Sequence, residues 1–449
     1  MGIESATVVD LPIEEVFDWH RRPGAVRRLL PPWLPLTVAS EAESLADGVA
    51  VLELPGGLRW VSRHQPDDFE ERRRFVDEGE VPLTRGRLPW RHVHDFEPVD
   101  AVRTRVIDRI ETPVPALALR AMTAYRHRQL HGDFAIHAQL RELAPDPLTI
   151  GITGASGLVG TALAALLTTG GHRVARLVRS APGMASSTAE ERYWDPADPA
   201  EDLLVGLDAV VHLAGAPIAG RFTDKHRAAV RDSRVGPTAR LARVAGSIPF
   251  ICASAIGFYG YDRADETLDE SAARGDGFLA DVVCAWEADT RAAEGRTVSV
   301  RTGIVQSARG GAMALQRPLF ACGLGGPLAG GEQWLSWISL DDLLDIYYRA
   351  IVDERLEGPV NAVAPNPQRQ RDWASTMGKV LHRPALLPTP DFGPKLLLGE
   401  DGSREVAAAS QRVVPTRLQA VGHRFRFPDL EGALRHELGH STEDDLISR

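Results

Sequence analysis

Cysteine is scarce in this 449-residue chain, since only Cys252, Cys284 and Cys322 occur, an odd number without paired spacing. A disulfide framework and a cysteine-bound metal are therefore not expected, and a reducing cytoplasm is the predicted compartment. Long apolar runs are missing too: none approaches the roughly 18 residues that a membrane-spanning helix needs. The N-terminus lacks a basic segment followed by an apolar one. The sequence thus predicts neither a membrane span nor a secretory leader.

An excess of positive charge is also absent. Lys and Arg number 51 against 61 Asp and Glu, which gives a formal net charge of -10. Nucleic-acid binding relies on basic surface, so nucleic acid is not an expected partner and a small molecule is. The 44% hydrophobic and 25% charged residues are ordinary for a globular protein. The length exceeds what a single core usually supports and predicts two or three domains.

A glycine-rich turn is the most informative feature that is present. Residues 148–160 read LTIGITGASGLVG, in which a short apolar strand runs into a TGxxGxxG turn. In this pattern Gly154 permits the tight turn, Gly157 lets backbone amides approach a pyrophosphate, and Gly160 lets a helix pack closely. The helix N-terminus supplies unpaired amides and a favourable dipole for an anion. The turn therefore predicts a dinucleotide site.

The residues after the turn favour one of the two nicotinamide cofactors. A helix is predicted over Thr161–Thr168 and a second strand over Arg173–Val178. An acidic residue at the end of this strand would bind the free ribose hydroxyl of NAD(H), but Arg179-Ser180 stands there instead. A guanidinium suits a 2′-phosphate, so NADP(H) is favoured. Arg176 is a weaker candidate, and the alternative for Arg179 is a solvated surface arginine.

The chain before residue 146 follows a different pattern. Val49–Leu54 and Leu58–His64 are predicted to form strands, and Val102–Ile107 alternates apolar and basic residues. A helix is predicted after Pro12, and another over roughly Ala116–Leu140. A helix, several antiparallel strands and a long terminal helix form an α+β order.

This order resembles the START-like helix-grip family, although no diagnostic motif accompanies it. The resemblance implies a curved sheet that wraps a long C-terminal helix around an apolar cavity, and hence an apolar ligand. Trp19, Trp33, Trp60 and Trp90 are candidates to line such a cavity. Tryptophans in a small sheet are more often core residues, and that interpretation is favoured.

A histidine pair lies in the same region. His92 and His94 are two residues apart on a predicted strand, so they share one face and could pair on a metal ion. No third ligand stands nearby in the sequence, so a core or solvated pair is favoured and no metal site is predicted.

A proline-bearing joint, Leu143–Pro147, precedes the glycine-rich turn. After it, strands and helices alternate, with further buried strands predicted over Ala209–Leu213, Phe250–Ser254 and Val298–Arg301. The predicted fold is an α/β Rossmann doubly wound parallel sheet with a C-terminal extension, preceded by an α+β helix-grip domain. The predicted domains are residues 1–146, 147–365 and 366–449.

Several motifs occur in order along residues 148 to 440. They are TGASGLVG, HLAGAPI (His212–Ile218), SAIGFYG (Ser254–Gly260) and RTGIV (Arg301–Val305). Together they resemble the extended short-chain dehydrogenase/reductase superfamily. Ser233-Arg234 with Thr238, GLGGP (323–327), Trp337-Ile338 with Asp341-Asp342, His382–Pro384, Ser410–Pro415 and Phe425–Leu430 are further matches. These resemble its atypical, NADP-binding, nucleoside-diphosphate-sugar epimerase-like branch with a C-terminal extension.

The resemblance implies a set of cofactor-binding residues. They are Gly154, Ser156, Gly157, Leu158, Val159, Gly160, Arg179, Leu213, Ala214, Gly215 and Ser254. Usual members of the superfamily also carry a catalytic Ser or Thr and a Tyr-x-x-x-Lys pair, whose tyrosine exchanges a proton while hydride passes at the nicotinamide.

The catalytic pair is incomplete here. Ser254 matches the serine, but the tyrosine position falls at Gly277 and the lysine position at Asp281. A glycine carries no acid, and an aspartate would repel a tyrosinate. Ser254 and Tyr259 are therefore the catalytic candidates, with Tyr259 as a surrogate acid.

Two residues are predicted to contact substrate. Arg301 is suited to a phosphate or carboxylate, with an interior salt bridge as the alternative. Trp337 and the GLGGP loop are predicted to close over the substrate.

A zinc-protease pattern, HExxH, occurs at His436–His440. Few residues follow for a third ligand, and the segment reads as the last helix of the extension. A metallopeptidase is therefore not favoured.

The leading hypothesis is an NADP(H)-binding oxidoreductase or epimerase-like protein that acts on a small molecule delivered by the N-terminal domain. The alternative is a catalytically silent NADP(H)-binding sensor or scaffold. The resemblance also allows a homodimer.

Overall fold

The computed structural model describes residues 2–82, 86–180, 190–388 and 392–442. The chain divides into two units. The first comprises Met1–Glu142 with Ala164–His172 and the chain end from Gly439, and the second comprises Leu143–Leu163 with Arg173–Leu438. Within the described ranges, no helix is both long enough and apolar enough to cross a bilayer.

Strands dominate the first unit, and a long helix follows them. Its elements are β1 (Gly2–Val9), α1 (Ile13–Arg21), α2 (Ala25–Leu29), β2 (Thr37–Ser40), β3 (Val49–Leu54), β4 (Leu58–His64), β5 (Arg74–Pro82), β6 (Arg87–Pro98), β7 (Thr104–Glu111) and α3 (Ala116–Arg141). The strands form one sheet in the order β1-β7-β6-β5-β4-β3-β2, and every pairing is antiparallel. The predicted antiparallel sheet and both helices are confirmed, while the helix-grip assignment stays a prediction.

One predicted strand is displaced. The structure places β7 at Thr104–Glu111 rather than at residues 102–107. The Val102 amide donates to the Asp100 carboxylate, and the Val99 amide donates to the Arg103 carbonyl, so these residues close a turn. Side-chain capping of this kind competes with strand pairing and is not visible in an alternating pattern.

The core of the first unit contains two of the four tryptophans. Trp19 is buried and packs edge-on against Phe134 at 5.6 Å between ring centroids. Trp60 is buried against Trp90, 5.3 Å away. These two positions are core residues, which is the interpretation that the sequence favoured.

The second unit alternates strands and helices. The elements that begin at or after residue 149 are β8 (Thr149–Thr153), α4 (Leu158–Thr169), β9 (Arg173–Val178), β10 (Glu190–Tyr193), β11 (Ala209–His212), α5 (Asp224–Asp232), α6 (Pro237–Ala245), β12 (Phe250–Ala255), β13 (Asp262–Leu268), α7 (Phe278–Asp289), β14 (Thr297–Thr302), β15 (Ile304–Gln306), α8 (Gly311–Ala321), β16 (Trp334–Leu335), β17 (Trp337–Ser339), α9 (Leu340–Val352), β18 (Gly358–Ala362), β19 (Gln368–Arg369), α10 (Gln370–Val380), α11 (Phe392–Gly402), β20 (Ser410–Val413), α12 (Thr416–Ala420) and α13 (Leu430–Leu438).

The main sheet of this unit is parallel throughout, in the order β10-β9-β8-β11-β12-β14-β18. The strand order reverses at β8, which lies between β9 and β11. In a doubly wound sheet, ligands bind outside the carboxyl ends of the strands at such a reversal. The predicted doubly wound sheet is confirmed, and it places the glycine-rich turn at the reversal.

The C-terminal extension joins this unit through small sheets. β20 pairs in parallel with β13, and β19 pairs with β16. Its helices α10 and α13 contribute Trp373, Met377 and Leu434 to a buried apolar cluster.

Candidate functional site

The glycine-rich turn has two glycines fixed by packing and one open to a ligand. At Gly154, where φ is +67°, a Cβ would lie 2.9 Å from the backbone carbon of Leu213. At Gly160 a Cβ would lie 2.3 Å from the Gly154 oxygen. A Cβ at Gly157 would meet only that same oxygen, at 3.3 Å, and Gly157 is exposed together with Ser156. The outer face of the turn is therefore free for the close approach that a pyrophosphate needs.

The neighbouring loop is tied to the turn by Thr153. Its hydroxyl accepts the amides of Leu213 at 3.1 Å and Ala214 at 3.2 Å, and lies 2.7 Å from Nδ1 of His212. Burial lowers the pKa of His212 to about 3, so its ring is neutral and Nδ1 accepts the threonine proton. This contact holds the carboxyl ends of β8 and β11 side by side, with Leu213 and Ala214 next to the turn.

A buried arginine lies beneath the same loop. The Arg234 guanidinium stacks 5.1 Å from the Trp286 ring, and a Cβ at Gly215 would lie 2.9 Å from its Cζ. Its Nε has no hydrogen-bond partner, and no described carboxylate forms an ion pair with it. Burial lowers the pKa of Arg234 to about 10, which leaves it charged at neutral pH. A buried, unpaired cation beside this loop suits an anionic ligand.

The two arginines of the second strand have different surroundings. Arg176 lies within β9 and forms an ion pair with Glu191 of β10 at 3.4 Å. Arg179 follows the strand directly and is exposed. Among the described residues, Arg179 is thus the one cation at the end of β9 that no carboxylate neutralises.

Ser254 and Arg301 share the carboxylate of Glu287, whose side chain is 15% exposed. The Ser254 hydroxyl donates to Oε1 of Glu287 at 2.6 Å. Arg301 donates to both oxygens of Glu287, from Nε at 2.8 Å and from Nη2 at 2.7 Å. Arg301 therefore forms the interior salt bridge that the sequence held as the alternative. Glu287 is on α7 and carries no motif that would have identified it.

Tyr259 belongs to the same network. Arg301 Nη1 donates to the Tyr259 hydroxyl at 3.0 Å, and the hydroxyl lies 2.7 Å from Oδ1 of Asn361, which accepts from it. The ring has no exposed surface, and burial raises the pKa of Tyr259. The structure thus brings Ser254, Tyr259 and Arg301 together around Glu287.

Trp337 is separate from that network. It is fully buried among Met313, Phe320 and Trp373, and its indole nitrogen donates to the Asn366 carbonyl at 3.0 Å. The ring has no surface facing solvent, and its contact with a substrate stays a prediction.

The position of the missing tyrosine is approached by a carboxylate from the extension. Gly277 precedes α7 with φ +117°, and a Cβ there would lie 3.1 Å from Oε2 of Glu405. The Glu405 carboxylate accepts the amides of Phe278 at 3.2 Å and Leu279 at 2.8 Å, which caps the N-terminus of α7. Asp281, at the lysine position, is ion-paired with Arg274. Glu405 is more than a hundred residues from Gly277 along the chain, so no local pattern reveals this contact.

The HExxH residues do not occupy one helix. α13 ends at Leu438, and Gly439 has φ +77°, so His436 and His440 are not on successive helical turns. The Glu437 carboxylate accepts the Ala308 amide at 2.8 Å instead. These contacts support the sequence-based rejection of a metallopeptidase.

Glu437 is expected to make stability depend on pH. Burial raises its pKa from an ordinary 4.5 to about 8, an effect that Asp341 reinforces and Arg309 opposes. Because the pKa is higher in the folded state, the stabilisation is complete below about pH 4.5 and is lost as the pH rises through 8. Glu437→Gln should reduce the decline in the unfolding free energy between pH 5 and 9, by up to about 1 kcal/mol per pH unit.

Urea unfolding at several pH values measures this decline. Glu431→Gln on the same helix is the control, because the side chain of Glu431 is partly exposed and pairs with Lys379. An unchanged slope in Glu437→Gln would show that the carboxyl is ionised in the folded protein.

Two family models match segments of the chain after residue 149. Residues 150–362 match the NAD dependent epimerase/dehydratase family, and residues 389–437 match a domain of unknown function, DUF1731. An epimerase family protein of Mycobacterium bovis is 38% identical over an alignment of 302 residues, and the match covers 65% of this chain and 97% of that protein. These similarities concern the dinucleotide-binding region and the extension.

Two solved structures extend the comparison. A nucleoside-diphosphate sugar epimerase of Corynebacterium glutamicum is 43% identical with a TM-score of 0.85, covering 99% of this chain and 92% of that chain. The human epimerase family protein SDR39U1, solved with NADPH, is 30% identical with a TM-score of 0.58 over 65% of this chain and 99% of that chain. The likeness to the Corynebacterium structure therefore includes the first unit.

Proposed function

Because the chain belongs to the NAD-dependent epimerase/dehydratase family, we propose that it binds NADP(H) at the glycine-rich turn and uses it on a small-molecule substrate. The observation that carries the proposal is the open face of the turn at Gly157, at the strand-order reversal of a parallel sheet. The unpaired Arg234 beside the Gly215 loop adds positive charge for an anionic ligand. When bound, the nicotinamide gives or takes a hydride.

The preference for NADP(H) over NAD(H) rests on Arg179. The guanidinium stands at the end of β9, where an acidic residue would bind a free 2′-hydroxyl. Arg176 is neutralised by Glu191, so Arg179 is the residue assigned to the 2′-phosphate. The human relative solved with NADPH is consistent with this assignment.

The reaction is assigned to the carboxyl end of β12, where Ser254 lies. Ser254 hydrogen-bonds a substrate oxygen in this proposal, with Glu287 orienting its hydroxyl. Tyr259 serves as the acid once its hydroxyl exchanges its two present acceptors, Oδ1 of Asn361 and the Asp269 carbonyl, for the substrate. Arg301 orients Glu287 and Tyr259 through its three hydrogen bonds to them. The reaction class is redox or epimerase chemistry.

A catalytically silent sensor is the second candidate. The residue at position 277 is a glycine, and the carboxylate closest to it is occupied as a helix cap. In this alternative the first unit binds an apolar ligand as a helix-grip domain. An oxidised and reduced pair of compounds that co-purifies with the protein favours the enzyme, whereas a single inert lipid favours the sensor.

Titration of the purified chain with NADPH and with NADH, followed by nicotinamide fluorescence, tests cofactor binding. Arg179→Ala should weaken NADPH binding about tenfold to a hundredfold and leave NADH binding unchanged, since charge-assisted contacts are worth about 1.5–3 kcal/mol. Arg176→Ala is the matched control, because its guanidinium is held by Glu191. Equal loss for both cofactors would refute the assignment of Arg179, and no binding of either would refute the oxidoreductase hypothesis.

A further inference from the structure

The register of strands β5, β6 and β7 brings two histidines and two aspartates next to one another. His92 is directly opposite Asp77 in the β5-β6 pair, and His94 is directly opposite Asp108 in the β6-β7 pair. Because side chains alternate along a strand, His92 and His94 point to the same face of β6. Opposed residues of antiparallel strands have neighbouring side chains, so the aspartates flank the histidine pair.

Three of these residues offer ligand atoms at metal-binding separations. One atom each from Asp77, His92 and His94 lie within 4.8 Å of one another. Oδ2 of Asp77 is 3.3 Å from Nε2 of His94 and 4.0 Å from Nδ1 of His92. Donor atoms about 2.0–2.1 Å from a tetrahedral ion are about 3.3–3.4 Å apart. The Asp77–His94 separation already fits such an ion, and the Asp77–His92 separation is longer than the ion requires.

The opposite nitrogens of both rings face a second carboxylate. Oδ1 of Asp108 is 2.7 Å from Nε2 of His92 and 3.2 Å from Nδ1 of His94. In the tautomers that carry the proton on Nε2 of His92 and on Nδ1 of His94, both N–H groups face Asp108, and each ring keeps a lone pair on the nitrogen that faces Asp77. Nη2 of Arg126 also lies 3.5 Å from Nδ1 of His94. Metal-bound histidines are usually oriented by such a carboxylate on the other nitrogen.

The remaining contacts orient the Asp77 carboxylate and balance the charge of Asp108. Ser62 donates to Oδ1 of Asp77 at 2.6 Å, which leaves Oδ2 for the histidines. Asp108 is balanced by Arg126 at 3.1 Å and by His127 at 3.2 Å. Arg126 therefore contacts the Asp108 side of the cluster, where it offsets the carboxylate. The side chain of Asp77 is 18% exposed, whereas both histidine rings are buried. An ion would therefore reach the histidines from solvent on the side of Asp77.

We propose that Asp77, His92 and His94 form a mononuclear site for a divalent transition-metal ion such as Zn²⁺. Two imidazoles and one carboxylate suit this class of ion. Three protein ligands leave a fourth tetrahedral position for water or a ligand, as in sites that bind or transform small molecules. The proposal concerns the first unit alone and does not depend on cofactor binding. The sequence predicted no metal here because Asp77 is on a neighbouring strand.

Metal titration of the full chain tests the site. After removal of metal with a chelator, Co²⁺ is added and its visible d–d absorption is followed, and Zn²⁺ is titrated by calorimetry. One equivalent should bind, and Asp77→Asn and His94→Gln should each weaken binding about a hundredfold. His131→Gln, whose ring contacts Thr7 instead, should bind as the unchanged protein does.

Folding is monitored in each variant by circular dichroism and thermal unfolding. Zn²⁺ should raise the melting temperature of the unchanged protein, because a ligand bound only by the folded state stabilises it, and should not raise that of Asp77→Asn. Asp77→Asn keeps the size of a side chain that is partly exposed, so this variant tests the site if His94→Gln fails to fold. Absence of Co²⁺ binding, or binding that Asp77→Asn leaves intact, would overturn the proposal.

Discussion

Gly157→Ala is expected to weaken NADPH binding about a hundredfold, or about 2.7 kcal/mol, while the protein folds normally. The added methyl would meet only the Gly154 oxygen, at 3.3 Å, a contact that a shift of a few tenths of an ångström relieves. The same methyl stands on the exposed face of the turn, where the pyrophosphate must approach the backbone. Fluorescence titration measures the affinity, and thermal unfolding measures the fold.

Gly393→Ala provides the matched control for this change. A Cβ at Gly393 has no neighbour within 4 Å, and its backbone is not left-handed, so NADPH affinity should not change. Undiminished binding by folded Gly157→Ala would place the pyrophosphate elsewhere and remove the main support for the proposed cofactor site.

Arg301→Leu is expected to lower the free energy of unfolding by about 3–5 kcal/mol. It leaves the Glu287 carboxylate without its cation, with the Ser254 hydroxyl as its remaining side-chain donor, and deprives Tyr259 of a donor. Urea unfolding measures the loss. Glu287→Leu should be similarly costly, whereas the double variant should recover most of the stability, because breaking one partner of a buried pair costs more than replacing both.

The same cycle separates two roles of Arg301. A loss below about 1 kcal/mol in Arg301→Leu would indicate that water already screens the pair. Loss of turnover in a stable Arg301→Leu would then favour the predicted substrate contact. Coincident loss of stability and turnover would favour the positioning role.

Strands of both main sheets can be predicted from sequence. β9 has the predicted bounds Arg173–Val178, and β3 and β4 also match, because turns or glycines bound short runs of alternating or apolar residues. The displaced start of β7 shows the limit, since the Asp100 turn is a side-chain contact. Local patterns thus predict element type and many ends, but not side-chain caps.

The candidate sites were only partly predictable for a related reason. The glycine-rich turn is a contiguous motif, and its geometry follows from adjacent residues. Glu287, Glu405 and Asp77 carry no motif, because each acts through a partner on a distant segment or a neighbouring strand. Arg234 was recognised only as part of a family motif, since its burial beside Gly215 is a property of the tertiary fold.

The Glu405 cap makes the start of α7 depend on a residue of the C-terminal extension. The backbone amides at the start of α7 donate to Glu405, a residue 126 positions after Leu279. In addition, β13, the strand before that helix, pairs with β20 of the extension. Parts that share hydrogen bonds in this way are poor units for recombination, because a foreign C-terminal segment would bring neither the carboxylate nor the matching strand. The dinucleotide-binding region and its extension are therefore expected to be inherited together as one gene segment.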